Sequence, residues 1–337
     1  MLKHLMTRLY QPTCAALIAV SLAQPSAYAQ TLCVFDPMGA AGDAYALMKD
    51  FTIVAKSQGV EIELIPYRSE EAVTEFFGNK DCDSIAVTDF MARRYNSYTG
   101  SMNAVGGIVN NGAARAVLSI MGHPKLDAEM VNGDYEVAGV FPLGMAYVAV
   151  NDKQINNMSK AQGRKFAVLA SDQAQYDMVK KIGAVPVPVT VSNMGNVFNS
   201  GQVDIMGAIA LSFTALELHK GMGNKGAMFR FPVTFVSMNI ITRKSAFPAG
   251  FARDSRRWFA SQTNRMMQSA DRLERSVPAR YWAELGESEK AGYVQMMREM
   301  RIQLVKEGVY NKKMISLLKK VRCQQDPKAA ECQTTDE

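Results

Sequence analysis

The stretch KFAVLASDQAQYDMVKKIGAVPVPVTVSNMGNVFNSGQVDIMGAIA, residues 165–210, alternates short apolar runs with segments that have helical spacing. KFAVLA, AVPVPVTV and DIMGAIA have the length of strands, whereas SDQAQYDMVKKIG begins with serine and ends with glycine, as many helices do. SNMGNVFNSG is predicted to form a short helix before the last strand. Because strands alternate with helices, this stretch predicts a parallel sheet with helical crossovers.

A second region with the same plan lies nearer the amino terminus. TLCVF (31–35), VEIELIPY (60–67) and SIAVT (84–88) are predicted strands, and helical spacing at 44–58 and 70–78 separates them. Both regions return from helix to strand through an aromatic residue, a glycine, a polar turn and an aspartate, in FFGNKDCDSIAV and in FNSGQVDIMGA. Since sequence identity between the regions is negligible, we interpret them as two α/β lobes of one architecture and not as a tandem repeat.

Two long strand patterns connect these lobes. GMAYVAVND (144–152) lies between them, and FPVTFVSMNIITRK (231–244) follows the second lobe. Two extended crossings predict a hinge, where a few residues absorb the rotation of one lobe against the other. From Phe247 onward the chain has helical spacing, so the prediction is an α/β protein of two lobes with hinge strands and a helical C-terminal region. The predicted boundaries are a signal peptide at 1–29, a first lobe with the C-terminal helices at 30–143 and 241–322, a second lobe with hinge strands at 144–240, and a C-terminal tail at 323–337.

The first residues have the composition of a secretory signal peptide. Lys3 and Arg8 give a basic start, CAALIAVSLA is a short apolar core, and AYA at 27–29 supplies the small residues of a cleavage site. An apolar core of about ten residues cannot cross a hydrocarbon layer, which needs roughly 20. We therefore expect cleavage after Ala29, export to the periplasm, and a mature protein that does not itself span the membrane.

The cysteines agree with export. Without the signal peptide the chain keeps Cys33, Cys82, Cys323 and Cys332, and an even number in an exported protein predicts two disulfides. Of the three possible pairings we favour Cys33–Cys82 with Cys323–Cys332, because neighbouring parallel strands would bring the first two together. Free buried thiols are the alternative.

The composition argues against several function classes. The formal net charge of +6 becomes +6 − 2 = +4 without Lys3 and Arg8, and no basic stripe is interleaved with aromatic residues, so we expect no nucleic-acid partner. The mature chain has only His123 and His219, far apart in sequence, which argues against a metal site. Because it has no G-x-S-x-G, P-loop or H-E-x-x-H motif, we expect neither catalytic residues nor a cofactor.

The predicted binding site lies where the strands end. In open α/β sheets, ligands bind beyond the carboxyl ends of the strands, where helix N-termini present free N–H groups. FDPMGAAGD, VTDFMARRYN and ASDQAQ follow three such ends. The candidate ligand-binding residues are Asp36, Gly39, Thr88, Asp89, Arg93, Arg94, Ser171, Asp172 and Gln173. A helix cap or a surface charge is the alternative for each, and either arginine could form a bidentate anion contact or an outward salt bridge.

Residues 160–270 resemble the core of the solute-binding proteins of tripartite ATP-independent periplasmic (TRAP) transporters. Those proteins have a Gly-x-Lys strand, a helix, GA-x-PVP, a short helix, and then G-x-VD before a strand of small residues. The matching residues here are Gly163, Lys165, Gly183-Ala184, Pro186-Val187-Pro188 and Gly201-Gln202-Val203-Asp204. NIITRKSAFPAGFARDSRRWF also resembles the strand and long helix that follow, and the whole chain is similar to a divergent, AdeT-like branch. The resemblance implies a two-lobe, periplasmic-binding-protein-like fold, a small-molecule ligand, and a membrane transporter permease as partner.

The chain departs from this pattern at one position. The family usually has Gly-x-Lys-x-Arg, with an arginine that binds a ligand carboxylate, whereas this chain has Ala167 at the position of that arginine. We therefore expect an exported protein that captures a small solute and delivers it to a transporter, with a neutral, zwitterionic or cationic ligand favoured over a plain organic acid. The alternative is a non-catalytic accessory protein of an envelope (efflux-type) complex.

Overall fold

The computed structural model describes residues 29–337, so the predicted signal peptide lies outside the described residues apart from Ala29. Within this range, ten strands form one mixed sheet. They are β1 (Gln30–Phe35), β2 (Ile62–Tyr67), β3 (Ser84–Thr88), β4 (Val131–Asn132), β5 (Tyr135–Val150), β6 (Lys165–Leu169), β7 (Val185–Val189), β8 (Ile205–Ile209), β9 (Ala227–Arg243) and β10 (Trp282–Ala283).

The sheet consists of two parallel halves joined by two long antiparallel strands. The strand order is β2-β1-β3-β9-β5-β8-β6-β7, with β4 beside β5 and β10 beside β9. Strands β1, β2 and β3 are parallel to one another, as are β6, β7 and β8. Strands β9 and β5 are antiparallel to their neighbours on this path. The predicted two-lobe α/β fold is therefore confirmed, with one half-sheet in each lobe.

Helices cover the two half-sheets and form the C-terminal region. They are α1 (Asp43–Ser57), α2 (Glu70–Gly78), α3 (Asp89–Ala92), α4 (Asn111–Ile120), α5 (Met158–Ala161), α6 (Gln173–Lys181), α7 (Met194–Asn199), α8 (Ala210–Ala215), α9 (His219–Met222), α10 (Phe251–Ser261), α11 (Thr263–Ser276), α12 (Glu287–Lys306) and α13 (Lys312–Gln325). Pro278 follows the end of α11, and Gly308, with φ +74°, follows the end of α12. Within residues 29–337, none of the helices combines the length and the apolar character that crossing a membrane requires.

Strands β5 and β9 pass from one half-sheet to the other. The first half of β5 pairs with the part of β9 that also pairs with β3, whereas residues 146–150 pair with β8. A register shift between Pro142 and Gly144 separates these two zones. Gly144 has φ +132°, a backbone conformation that side chains with a Cβ rarely adopt. The two predicted crossings are thus present, with an irregular strand segment at the point where a hinge is expected.

Both crossings are longer than the sequence analysis predicted. Strand β5 begins at Tyr135 instead of 144, and β9 begins at Ala227 instead of 231. Gly139 and Pro142 disfavour a strand, and register shifts in β5 accommodate both residues. Gly139 also allows close packing of α10, because a Cβ at this position would lie 2.3 Å from Cδ2 of Phe259.

The two predicted disulfides are present with the predicted pairing. Cys33 on β1 is bonded to Cys82, which lies just before β3, and their Cα atoms are 6.0 Å apart. Both of these cysteines are buried. Cys323, near the end of α13, is bonded to Cys332.

The predicted tail, 323–337, begins inside α13, and the residues after that helix pack against the C-terminal helices. The fully buried carboxylate of Glu337 accepts hydrogen bonds from Nε of Arg301 (2.5 Å) and Nη2 of Arg322 (2.9 Å). Arg301 also donates from Nη1 to the carbonyl oxygen of Val105 (3.0 Å). The predicted tail is therefore an ordered segment that is linked through Arg301 to the loop before α4.

Candidate ligand-binding cleft

A cavity of about 840 Å³ lies between the two half-sheets. Its wall includes residues at the carboxyl ends of strands from both lobes: Asp36 after β1, Thr88 in β3, Leu169 in β6 and Ile209 in β8. Strands β5 and β9 and helix α11 supply further wall residues. This is the position at which open α/β sheets bind ligands, and the volume is in the usual range of small-molecule sites.

Asp36 lines the cavity, but the protein itself uses its carboxylate. Oδ1 accepts a hydrogen bond from the backbone N–H of Met38 (2.9 Å), and Oδ2 accepts from Ala44 (3.0 Å) and Tyr45 (3.2 Å) in the first turn of α1. A Cβ at position 42 would lie 1.9 Å from Oδ1, so Gly42 is needed for this arrangement. Asp36 therefore has the capping role that was the alternative for it, and the N-terminus of α1 offsets its charge.

Arg93 and Asp172 form an ion pair that joins the two lobes. Arg93 follows β3 and α3, whereas Asp172 follows β6. Nη1 of Arg93 lies 2.9 Å from Oδ1 of Asp172, and the two side chains are 13% and 5% exposed. Asp172 directly precedes α6, but its side chain makes no capping hydrogen bond because it faces Arg93.

Arg93 also donates from Nε and Nη2. Nε donates to the carbonyl oxygen of Gly100 (2.9 Å), Nη2 donates to Oδ1 of Asn103 (2.5 Å), and the guanidinium lies 5.1 Å from the ring centroid of Tyr310. Burial alone would lower the pKa of Arg93, but the attraction of Asp172 and its neighbours outweighs burial and raises the pKa above its ordinary value. Arg93 is thus a charged group that contacts within the protein hold in place.

Two buried carboxyl groups flank β3 outside the cavity wall. Burial raises the pKa of Asp89 to about 8, although the N–H and the hydroxyl of Ser237 donate to Oδ2 at 3.0 and 3.1 Å. Burial likewise raises the pKa of Glu70 to about 7, although the N–H of Thr88 donates to Oε1 at 2.5 Å. Near neutral pH, Asp89 is therefore mostly protonated and Glu70 is partly protonated, so burial reduces the negative charge of these groups.

The structure brings only part of the predicted site together. Three predicted residues line the cavity: Asp36, Thr88 and Asp172. Arg93 contacts the wall residues Asn103 and Asp172 from behind. The remaining predicted residues are not in the wall: Gly39, Asp89, Arg94, Ser171 and Gln173.

Arg94 is exposed, in contrast to the partly buried Arg93 beside it. Consecutive residues of a helical turn point about 100° apart, which explains the difference at the end of α3. Ser171 and Gln173 are also exposed, and Gln173 donates from Nε2 to Asp177 (2.8 Å). The expectation that Arg94 could bind an anion in the cleft therefore has no support in the geometry.

Most of the wall was missed by the sequence analysis. Asn103, Gln175 and Tyr310 add polar groups from three distant segments. Gln175 accepts a hydrogen bond at Oε1 from the N–H of Leu169 (2.6 Å), which fixes its position at the end of β6. No sequence motif marks these residues, because each lies in a segment whose spacing is already explained by helix or core packing.

Ala167 is part of the cavity wall, on β6. The wall therefore has a methyl group at the position where the resemblance would place an arginine. Within residues 29–337, no three or more His, Cys, Asp or Glu side chains are grouped so that they could hold a metal ion.

Comparison with known proteins agrees with this architecture. A family model described as solute-binding protein AdeT 1/2 matches residues 51–337. The chain is 42% identical over 304 residues to the probable solute-binding protein AdeT1 of Acinetobacter baumannii, covering 90% of this chain and 100% of the relative. It is 34% identical over 233 residues to the probable solute-binding protein AdeT2 of the same organism, covering 69% of this chain and 98% of the relative.

The fold is also similar to that of solved structures. A TRAP periplasmic solute-binding protein from Desulfovibrio salexigens, with bound orotic acid, superposes with a TM-score of 0.70. The sequence identity is 11%, and the match covers 88% of this chain and 99% of the solved chain. At this identity the likeness concerns the fold alone, and it confirms the two-lobe architecture.

Proposed function

Because this chain belongs to the AdeT 1/2 family of solute-binding proteins, we propose that it captures a small solute in the cavity between its lobes and delivers it to a membrane transporter. Solute-binding proteins are not enzymes, so the cleft has to recognise and release a ligand without chemical conversion. The proposed partner is a membrane permease, and the ligand is a small molecule.

The observation that carries this proposal is the position of the cavity. Strand ends of both lobes contribute to one wall, so that a ligand in the cavity would contact both lobes. Strands β5 and β9 join the lobes and contain the irregular segment at Pro142 and Gly144. A ligand that contacts both lobes stabilises their closed arrangement, which a transporter can distinguish from the unliganded protein.

We place the protein in the periplasm, with the signal peptide removed after Ala29. The bonds Cys33–Cys82 and Cys323–Cys332 support this location, because disulfides persist in oxidising compartments. The periplasmic solute-binding protein with the similar fold supports it as well.

A thermal-shift screen of a metabolite library tests the proposal. A compound that binds only the folded protein raises stability by RT ln(1 + [L]/Kd), about 2.7 kcal/mol at a hundredfold excess over Kd. We expect at least one compound to raise the melting temperature in a saturable manner, and calorimetry should then show one site per chain.

Two glycine substitutions provide a matched pair of controls. Gly207 lines the cavity, and a Cβ there would meet only Nε2 of Gln175, at 3.6 Å, so Gly207→Phe should place an aromatic ring in the space of the ligand and abolish the shift. Gly78 is exposed at the end of α2 with no atom within 4 Å of an added Cβ, so Gly78→Phe should leave the shift unchanged. If no compound in a broad library gave a shift, the envelope accessory-protein alternative would replace the proposal.

A further inference from the structure

We propose that the cleft takes an uncharged, mainly apolar molecule that carries a hydrogen-bond acceptor, and that it discriminates against carboxylates. This inference rests on the proposed function and names the chemical class of the solute. Three properties of the cavity carry it: the apolar chemistry of the wall, the exposed position or internal pairing of the basic groups in and behind the wall, and one buried donor.

The wall is built mainly from apolar side chains of both lobes and of the C-terminal helices. Methionine is prominent, with examples from four parts of the chain: Met38, Met178, Met238 and Met266. Methionine side chains are flexible and polarizable, and they are common at surfaces that adapt to varied apolar ligands. A wall of this kind in a cavity of about 840 Å³ fits a bulky apolar molecule better than a small, strongly hydrated acid.

The basic residues of the described wall are at exposed positions, and one of them, Arg272, has no carboxylate partner among the described residues. Arg265 and Arg272 are the basic wall residues, and both belong to exposed positions of α11. Arg265 is 64% exposed and forms an ion pair with Asp50 at 2.5 Å, and Arg272 donates to Ser269. The charge of Arg93, behind the wall, is matched by Asp172.

The consequence for an anionic ligand follows from desolvation. A carboxylate buried against the apolar part of this wall would give up water without meeting a cation there, because Arg265 and Arg272 are exposed and Arg93 is paired with Asp172, and such a burial is unfavourable for an ion. An uncharged molecule with the same apolar body avoids the cost of removing a charge from water, and it buries the same apolar surface.

Asn103 supplies a polar anchor. It lines the cavity, is 4% exposed, and its Oδ1 accepts from Arg93, which fixes the orientation of the amide. The Nδ2 group is therefore the remaining donor, and it has no hydrogen-bond partner among the described residues. The Nδ2 atom is itself inaccessible to solvent in this arrangement, so an acceptor such as an ester, ketone or ether oxygen would reach it once the wall adjusts to the ligand, and that contact would satisfy the donor.

The test uses two probes with the same apolar body, methyl 2-naphthoate and 2-naphthoate. At neutral pH the ester is uncharged and the acid is ionised, while both keep an acceptor oxygen. We expect the ester to bind the full mature chain at least about tenfold more tightly than the acid, measured by calorimetry. Equal or tighter binding of the acid would overturn the inference. The inference would also be overturned if neither probe bound while a carboxylate from the screen closed the two lobes. That outcome would leave the proposed function intact.

Two variants make the test specific. Ala167→Arg places a cation in the wall and should shift the preference toward 2-naphthoate by about tenfold or more, whereas Gln173→Arg, at an exposed position of the same lobe, should not. Asn103→Asp keeps the acceptor for Arg93 but removes the donor, so it should weaken ester binding by about tenfold. Melting of each unliganded variant shows whether it folds, and unchanged ester binding in a folded Asn103→Asp variant would contradict the assigned anchor.

Discussion

Replacing Arg93 with methionine is expected to lower the free energy of unfolding by about 3–5 kcal/mol, because the substitution leaves a buried carboxylate without its partner. Asp172 is 5% exposed, and its Oδ1 lies 2.9 Å from Nη1 of Arg93. The same substitution removes the hydrogen bonds that Arg93 donates to Gly100 and Asn103. Urea unfolding followed by the fluorescence of the two tryptophans measures the change.

The neighbouring arginine provides the matched control. Arg94→Met changes the same kind of side chain at an exposed position and should alter stability by no more than about 0.5 kcal/mol. Adding Asp172→Asn to Arg93→Met removes the unpaired charge and should recover a substantial part of the loss. If Arg93→Met were as stable as Arg94→Met, the ion pair between the lobes would not stabilise the folded protein.

Removing the Cys33–Cys82 bond is expected to cost about 4 kcal/mol, because it releases a long loop in the unfolded chain. The two cysteines are 49 residues apart in sequence and are buried between β1 and β3, so the double substitution to alanine also leaves unfilled volume in the core. The matched control is the double alanine variant of Cys323 and Cys332, which are only 9 residues apart. Its expected cost is below about 3 kcal/mol, and an equal or larger loss for this shorter loop would contradict the ranking.

The fold was predictable from sequence at strands and helices whose apolar residues follow a single clear pattern. Strand β3 has the predicted bounds, 84–88, because its apolar run is fully buried and is bounded by polar segments. The first half of β5 was missed because Gly139 and Pro142 disfavour a strand, and only the packing of Phe259 explains the glycine. Patterns along the chain report local preference, whereas a bulge and a close helix contact depend on a distant segment.

The same limit applies to the cleft. The cavity lies at the strand ends, and Asp36, Thr88 and Asp172 of the predicted residues line it. The pairing of Arg93 with Asp172, across 79 residues of sequence, could not be predicted, because it depends on how two lobes meet. The wall methionines could not be predicted as ligand contacts either, because their spacing in the sequence is also that of core residues.

The central claim is that a solute binds between two lobes that move relative to each other, and an inter-lobe distance measures this most directly. Glu75 on α2 and Asn196 on α7 are exposed and belong to different lobes, so cysteines at these positions can carry spin labels while the native cysteines remain in disulfides. Double electron–electron resonance should show a distance distribution that narrows and shifts to shorter values when the compound with the largest thermal shift is added. In the Gly207→Phe background the distribution should not respond to that compound. A compound that binds with one site per chain but leaves the inter-lobe distance unchanged would contradict the claim.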